Sequence, residues 1–273
     1  MPQVSIHRKT RFNPPQNFFP AEAAGLKWMK KAEAQGGPRV CTVIDVNERY
    51  LDIEQIASAG PTIQAARAFG RALARMHDAG APAWGCAPDG FTGHCYFGPL
   101  DDPVPMPTGS WPSVESYIRN ARLIPMVEMG IARGQLDEHD LEVTKQVCDN
   151  LPELLGQARL DSPARVHGDL WSGNLMWTPA RSASTPGGVE AVLIDPAAHG
   201  GHREEDLAML DLFGCPYLDD IIEAYDREHP LAPGFESRLP LWQLYPIAGH
   251  CVFFSGGYVA QYRSLCAQLL ESL

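Results

Sequence analysis

The chain is short of basic residues. Its 22 Lys and Arg face 33 Asp and Glu, a net charge of −11 over 273 residues. A phosphate backbone or an anionic membrane needs a basic face, so the balance argues against a nucleic-acid or membrane-surface partner. It does not argue against a nucleotide pocket, which needs only local cations and a metal. No run approaches the ~20 apolar residues of a membrane span. Residues 1–11 lack the apolar core of a signal peptide, so none is expected. Cys-x-x-Cys is absent too. The seven cysteines, at 41, 86, 95, 148, 215, 251 and 266, are odd in number and scattered. That fits free thiols in a reducing cytoplasm better than a disulfide framework. Cys86, His94 and Cys95 have no matching second pair, which disfavours zinc there. Internal repeats and low-complexity tracts are missing as well. With 45% apolar residues the chain can bury a full core, as one large domain or two smaller ones.

What is present centres on His167-Gly168-Asp169-Leu170-Trp171-Ser172-Gly173-Asn174. An Asp five residues before an Asn is the spacing of the protein-kinase catalytic loop. There the Asp accepts the proton of the attacking hydroxyl and the Asn holds magnesium on the nucleotide phosphates. Residues 175–177 and 189–194 read as two strands around a Pro/Ser/Thr/Gly-rich loop at 178–188. Paired antiparallel, they bring Asn174 and the strand-terminal Asp195 to adjacent ends, with backbones ~5 Å apart. One magnesium then bridges Asn174 and Asp195, with Asp169 close by. A plain surface hairpin with Asp and Asn at turn positions is the bland alternative. The ordered set of three polar groups outweighs it.

Along the chain, residues 4–10 suggest a short strand carrying Lys9, broken by Pro14 and Pro15. A helix follows from about Pro20, with Glu22, Leu26 and Met29 on one face. Glu22 is either the partner of Lys9 or a helpful first-turn acid, and spacing does not separate the two. Gly36-Gly37-Pro38 stops that helix. Residues 40–46 and 50–56 read as a hairpin turning at Asn47-Glu48, and 57–61 as a link between two lobes. A helix with Ile63, Ala66, Phe69, Leu73 and Met76 on one stripe ends at Gly80, with His77 structural. Residues 81–112 read as an extended surface loop. Helices are expected at 113–133, 138–155, 204–213, 217–227, 240–253 and 257–271, their aromatic residues in the core.

Taken together, the octapeptide above, Ile194-Asp195-Pro196-Ala197-Ala198 and the run Gly200 to Leu210 (Gly-Gly-His-Arg-Glu-Glu-Asp-Leu-Ala-Met-Leu) resemble the fructosamine kinase (ketosamine-3-kinase) family. Phe18 to Leu26, Leu73 to His77 and Trp84-Gly85 extend the resemblance over nearly the whole chain. His-Gly-Asp-x-x-x-x-Asn alone is shared with aminoglycoside phosphotransferases and choline kinases. The Leu-Trp-Ser-Gly insert and the Gly-His-Arg-Glu run are more specific. The resemblance implies an α+β, two-lobed protein-kinase-like fold. Residues 1–58 would be a small nucleotide-binding lobe and 59–273 a mainly helical catalytic and substrate lobe. It implies ATP, Mg2+ and γ-phosphoryl transfer to a sugar hydroxyl of a ketosamine, free or on a glycated protein, in protein deglycation. Asp169 becomes the catalytic base, Asn174 and Asp195 the metal ligands. Lys9 becomes the phosphate-contacting lysine paired with Glu22. Glu54, Gln55 and Ile56 form the hinge that meets adenine. Trp171, Glu204 and Asp206 serve the acceptor side or support the loop.

A second enzyme reading is an aminoglycoside- or choline-type phosphotransferase. Net acidity suits either cationic acceptor and does not choose between them. A third is a weakly active kinase-like binding protein, suggested by the missing glycine-rich hairpin. Only eight residues precede Lys9, and none is glycine. The expectation is a cleft open on its phosphate side, with weak ATP binding and slow turnover. An upstream glycine-rich hairpin should raise both, and comparing the two forms tests this.

Overall fold

The computed structural model describes residues 5–182, 185–254 and 256–273, so position 4 of the expected first strand and part of the 178–188 loop lie outside the described residues. The first strand, β1 (Ile6–Thr10), is followed by α1 (Phe18–Lys30). Asn17, in the left-handed region at φ 60°, sets the entry to α1, which therefore starts ahead of Pro20. Phe19, Leu26, Trp28 and Met29 are buried on its inner face. A tighter turn over Lys31–Gln35 ends at Gly36, whose φ of 82° suits glycine.

The expected strand over 40–46 is split. Its first part, β2 (Arg39–Val40), leaves for another sheet. The remainder, β3 (Val43–Asn47), pairs antiparallel with β4 (Tyr50–Glu54), turning after Asn47. β4 is central in a three-stranded sheet of order β1-β4-β3. α2 (Ile63–Asp78) is capped by the Thr62 hydroxyl, which accepts from Ala65 N–H at 3.2 Å.

Residues 81–112 are not simply a surface loop. They contain the hairpin β5 (Cys95–Phe97) and β6 (Val104–Met106). Cys95, Phe97, Val104 and Met106 are buried. The expected 113–133 helix is three joined pieces: α3 (Val114–Tyr117), a π-helical turn (Ile118–Leu123) and α4 (Ile124–Ala132). α5 (Glu138–Asp149) and α6 (Leu151–Leu155) divide the next at Asn150, just before Pro152.

Four strands build the catalytic region: β7 (Ala164–Val166), β8 (Leu175–Pro179), β9 (Val189–Leu193) and β10 (His199–Gly201). β8 and β9 pair antiparallel with Leu175 opposite Leu193, as the spacing suggests. β2 lies parallel on the far side of β9, with Val40 against Leu193. The chain closes with α7 (Arg203–Leu212), α8 (Leu218–Glu228), α9 (Phe235–Phe253) and α10 (Tyr258–Glu271). α9 begins well before 240 and holds Pro240 and Pro246 inside it. α2 packs closely on α8 at Gly70, where a Cβ would lie 2.2 Å from the Ile221 carbonyl oxygen. The result is a two-lobed α+β arrangement. No helix among the described residues is long and apolar enough to cross a membrane.

Candidate active site

The loop between β7 and β8 is held from below by Asp206 on α7. Its carboxylate accepts the backbone N–H of His167 at 2.7 Å and of Gly168 at 2.9 Å. His77 Nε2 lies 3.1 Å from the same carboxylate, and Tyr225 OH lies 2.7 Å from His77 Nδ1. Burial pushes the Asp206 carboxyl up, but these hydrogen bonds outweigh it and hold it below the usual range. Gly168 has φ 79°, and a Cβ there would meet the Ala197 carbonyl oxygen at 2.4 Å. Only glycine fits that position.

Asp169 follows, at the floor of a cleft of about 900 Å³. Asn174 Nδ2 donates to the Asp169 backbone carbonyl at 2.8 Å and to its Oδ2 at 3.1 Å. It also lies 3.4 Å from the Asp195 carbonyl, which ties the ends of β8 and β9 together. Burial, aided by the nearby Asp195 and Asp206 charges and opposed by the Asn174 bond, pushes the Asp169 carboxyl up to about 7.

β1 brings Lys9 to the same floor. Lys9 Nζ lies 2.7 Å from Glu22 and 3.0 Å from Asp195 Oδ1. Burial opposes the ammonium, but the two carboxylates raise it above its ordinary value and keep it charged. The neighbouring cations are engaged elsewhere. Arg8 forms a two-pronged pair with Asp52 at 2.6 Å, and Arg11 donates to the Asp101 carbonyl at 3.0 Å. Residues 54–56 are not among those lining the cleft. The Glu54 carboxylate turns to Thr42 and Arg39, and Gln55 N–H donates to the Ser5 carbonyl at 2.9 Å. Ile56 N–H has no partner among the described residues.

The residues assigned jointly to acceptor or support separate cleanly. Asp206 supports the loop. Glu204 is fully buried beneath α9, bonded by both prongs of Arg238 and by Trp242 Nε1 at 2.7 Å. Removing one partner of a buried pair strands the other charge. Arg238→Ala should therefore cost roughly 3–5 kcal/mol in urea denaturation. KM values in the surviving folded protein should stay unchanged. A loss under 1 kcal/mol would show that the pair is not structural.

Trp171 lines the cleft and is 41% exposed, edge-on to Phe213 with centroids 6.5 Å apart. The far end of the cleft is a wall of Phe213, His250, Phe253, Phe254 and Tyr258, whose phenylalanines and tyrosine were expected in the core. His250 sits among Phe213, Phe254 and Tyr258 with ring centroids 5.0, 5.4 and 4.8 Å away. Its Nδ1 lies 2.7 Å from the Pro246 carbonyl, which makes Nδ1 the donor and leaves Nε2 as an acceptor. The cleft's carboxylates are Glu22, Asp169 and Asp195, all at the Lys9 end. The net acidity of the chain is therefore not carried into the aromatic end. Periodicity had no signal for this wall, because helix-end aromatics look the same whether they face a core or a cavity.

The donor set fits a hard divalent cation carrying phosphates. Asn174 commits its nitrogen, and its Oδ1 has no hydrogen-bond partner among the described residues. The Asp195 side chain is 39% exposed beside it. Magnesium is commonly held by one or two carboxylates plus substrate phosphates, not by an all-protein cage. The charged Lys9 ammonium fits the phosphates themselves.

A buried carboxyl, an amide oxygen, a second carboxylate and a charged lysine–glutamate pair in a two-lobed fold are the parts of the kinase-like phosphotransferases. Choline kinase LicA of Streptococcus pneumoniae shares the fold, with a TM-score of 0.55 at 14% identity over 99% of this chain and 87% of that one. The chain belongs to the fructosamine kinase family, whose model matches residues 6–272. A protein of Synechocystis sp. named as a probable ketoamine kinase is 32% identical over 256 residues, 93% of this chain and 79% of the relative. The crystal structure of a Thermobifida fusca protein, provisionally named fructosamine-3-kinase, superposes with a TM-score of 0.84 at 35% identity. That match covers 98% of this chain and 86% of the other.

Proposed function

We propose that the protein is an ATP- and magnesium-dependent ketosamine kinase, phosphorylating a sugar hydroxyl of a free or protein-linked ketosamine in the cytoplasm. The observation that carries this is the position of Asp169. Its carboxyl, pushed up to about 7, is bonded to Asn174 in a cleft that aromatic residues also line. A carboxylate so placed can take the acceptor hydroxyl proton as the new bond to phosphorus forms. Residues 1–58 act as the nucleotide lobe and 59–273 as the catalytic and substrate lobe. Lys9, oriented by Glu22, contacts the phosphates. Of the Glu54–Gln55–Ile56 segment, Ile56 N–H, which has no partner among the described residues, is the group that would meet adenine. Asn174 and Asp195 hold magnesium, which when bound neutralises charge on the phosphate oxygens. As the acceptor oxygen bonds to the γ-phosphorus, Asp169 takes its proton and the bond to the departing ADP oxygen breaks.

The aromatic end favours a sugar carrying one amine over a polycationic aminoglycoside. Ring faces pack against sugar C–H groups and attract a single cation. A polyamine needs several carboxylates, and the cleft has none at that end among the described residues. The test is ADP release from Mg-ATP across a panel of ketosamines and aminoglycosides. Ketosamine-dependent release is expected, and release with aminoglycosides alone would overturn the reading. Trp171→Ala should raise the ketosamine KM about tenfold, the scale of one lost ring contact, and leave the ATP KM within about twofold. An unchanged ketosamine KM removes Trp171 from the acceptor side.

A further inference from the structure

Beside Gly168 of the catalytic loop lies a second and smaller cavity of about 40 Å³. It shares Phe97 and Met209 with the cleft, and Gly168 forms part of its wall. One buried polar group at this cavity has no hydrogen-bond partner among the described residues. Arg122 is only 3% exposed, and its Nη2 is buried without a hydrogen bond. Tyr245 also lines the cavity and is partly buried, and its hydroxyl makes no hydrogen bond to a described residue. A buried orphan of this kind calls for an explanation. The cavity exceeds the ~10–15 Å³ that one water needs, and its polar lining supplies partners.

The rest of Arg122 is tightly engaged. Nε donates to the Tyr117 hydroxyl at 3.1 Å, and Nη1 to the carbonyls of Pro107 and Ala121. The Tyr117 hydroxyl also lies 2.7 Å from His199 Nε2 and 3.1 Å from Glu205. His199 Nδ1 lies 2.8 Å from the Ala197 carbonyl, and the His199 ring and that carbonyl together form the surface against which Gly168 is wedged. A polar relay therefore runs from Arg122 through Tyr117 and His199 to the residue before Asp169. Arg122 belongs to the π-helical turn and Tyr117 immediately precedes it. Such turns are rare and frequently mark functional sites.

We infer that Tyr117 and Arg122 are positioning residues for the catalytic loop, acting through His199, and that ordered water in the small cavity completes their contact by bridging Arg122 Nη2 and the Tyr245 hydroxyl. Asp206 bonds the loop's backbone at His167 and Gly168, and this relay packs against Gly168. Neither residue lines the acceptor cleft, so their effect is on the placement of Asp169 and not on binding. The inference rests on the phosphoryl-transfer reading.

Tyr117→Phe and Tyr245→Phe, each removing a single hydroxyl, test it. Three quantities are read: kcat per folded molecule, both KM values, and hydrogen exchange at the His167–Asp169 amides. Tyr117→Phe should lower kcat roughly ten- to a hundredfold, the scale of a misplacement up to 1 Å. Both KM values should stay within about threefold, and exchange at those amides should quicken. Tyr245→Phe, the milder change, should move kcat and exchange the same way by a smaller factor. If Tyr117→Phe folds too poorly to assay, Tyr245→Phe alone decides. Unchanged kcat and exchange, with only a lower Tm, would overturn the inference, as would a raised ketosamine KM at constant kcat. The exchange readout needs no ketosamine. Wild-type protein that releases no ADP with any ketosamine therefore sinks the functional reading instead, while the loop-positioning result stands or falls on exchange.

Discussion

Asp169→Asn is expected to fold, to bind nucleotide and to lose roughly 10²–10⁴-fold in turnover, the range for removing a general base. The amide keeps the shape of the carboxylate and its place beside Asn174, 3.1 Å from Asp169 Oδ2. It has no lone pair basic enough to take the acceptor proton. Its effect on stability runs the other way. The folded carboxyl is raised to about 7, mainly by burial, so the ionised form is penalised in the folded state. That penalty grows as pH rises from the unfolded carboxylate value through the folded one. The neutral amide escapes it, so without ligands the variant should melt no lower than wild type, and its advantage should be larger at pH 8 than at pH 5. Turnover within a few-fold of wild type would sink the assignment of Asp169. A large fall in Tm at pH 8 would instead point to misfolding.

Asp206→Ala should combine a large stability loss with a loss of turnover. It leaves the buried N–H groups of His167 and Gly168 without an acceptor and removes the partner of His77. Orphaned buried donors cost about 1–3 kcal/mol each, so a total of roughly 2–6 kcal/mol is expected in urea denaturation. The pH signature is specific. The Asp206 carboxyl is held below its ordinary value by its donors despite burial. Its contribution is therefore fully present above the unfolded carboxylate value and disappears as pH falls through the folded one. Wild type should lose stability along that acid limb more steeply than the variant. Parallel acid limbs would show that Asp206 is not ionised in the folded protein.

The catalytic loop and the strands around Asp195 were legible because they are local. The Asp-to-Asn spacing and the β8–β9 hairpin lie within one short stretch, where pairing register follows from the turn. The lysine was less legible, since Arg8, Lys9 and Arg11 crowd together. Period-2 alternation in β1 separates the first two: Lys9 lies opposite Leu51 and Arg8 opposite Asp52, on opposite faces of the sheet. The pairing of β1 with β4 decides which face meets Glu22, and that pairing is a long-range event. Over 40–46 the sequence carries one continuous strand signal, but its first residues bond to β9 and its last to β4. A backbone amide reads the same with either partner. The hairpin in 81–112 escaped because its strands are three residues each, among Gly and Pro that mark turns.

By itself, then, the sequence placed Asp169, Asn174 and Asp195 side by side and determined the α+β class and most helices. Each depends on residues close together in the chain, where spacing alone dictates geometry. The tertiary structure decided the rest. It assigned Glu204 to a buried ion pair and Asp206 to the loop, and turned helix-end aromatics toward a cavity. It also confined the carboxylates of the cleft to one end. Which face of a helix meets solvent, core or ligand depends on what packs against it, and net charge carries no position. Those are properties of the assembled chain, set when α7, α9 and α10 dock around the catalytic loop.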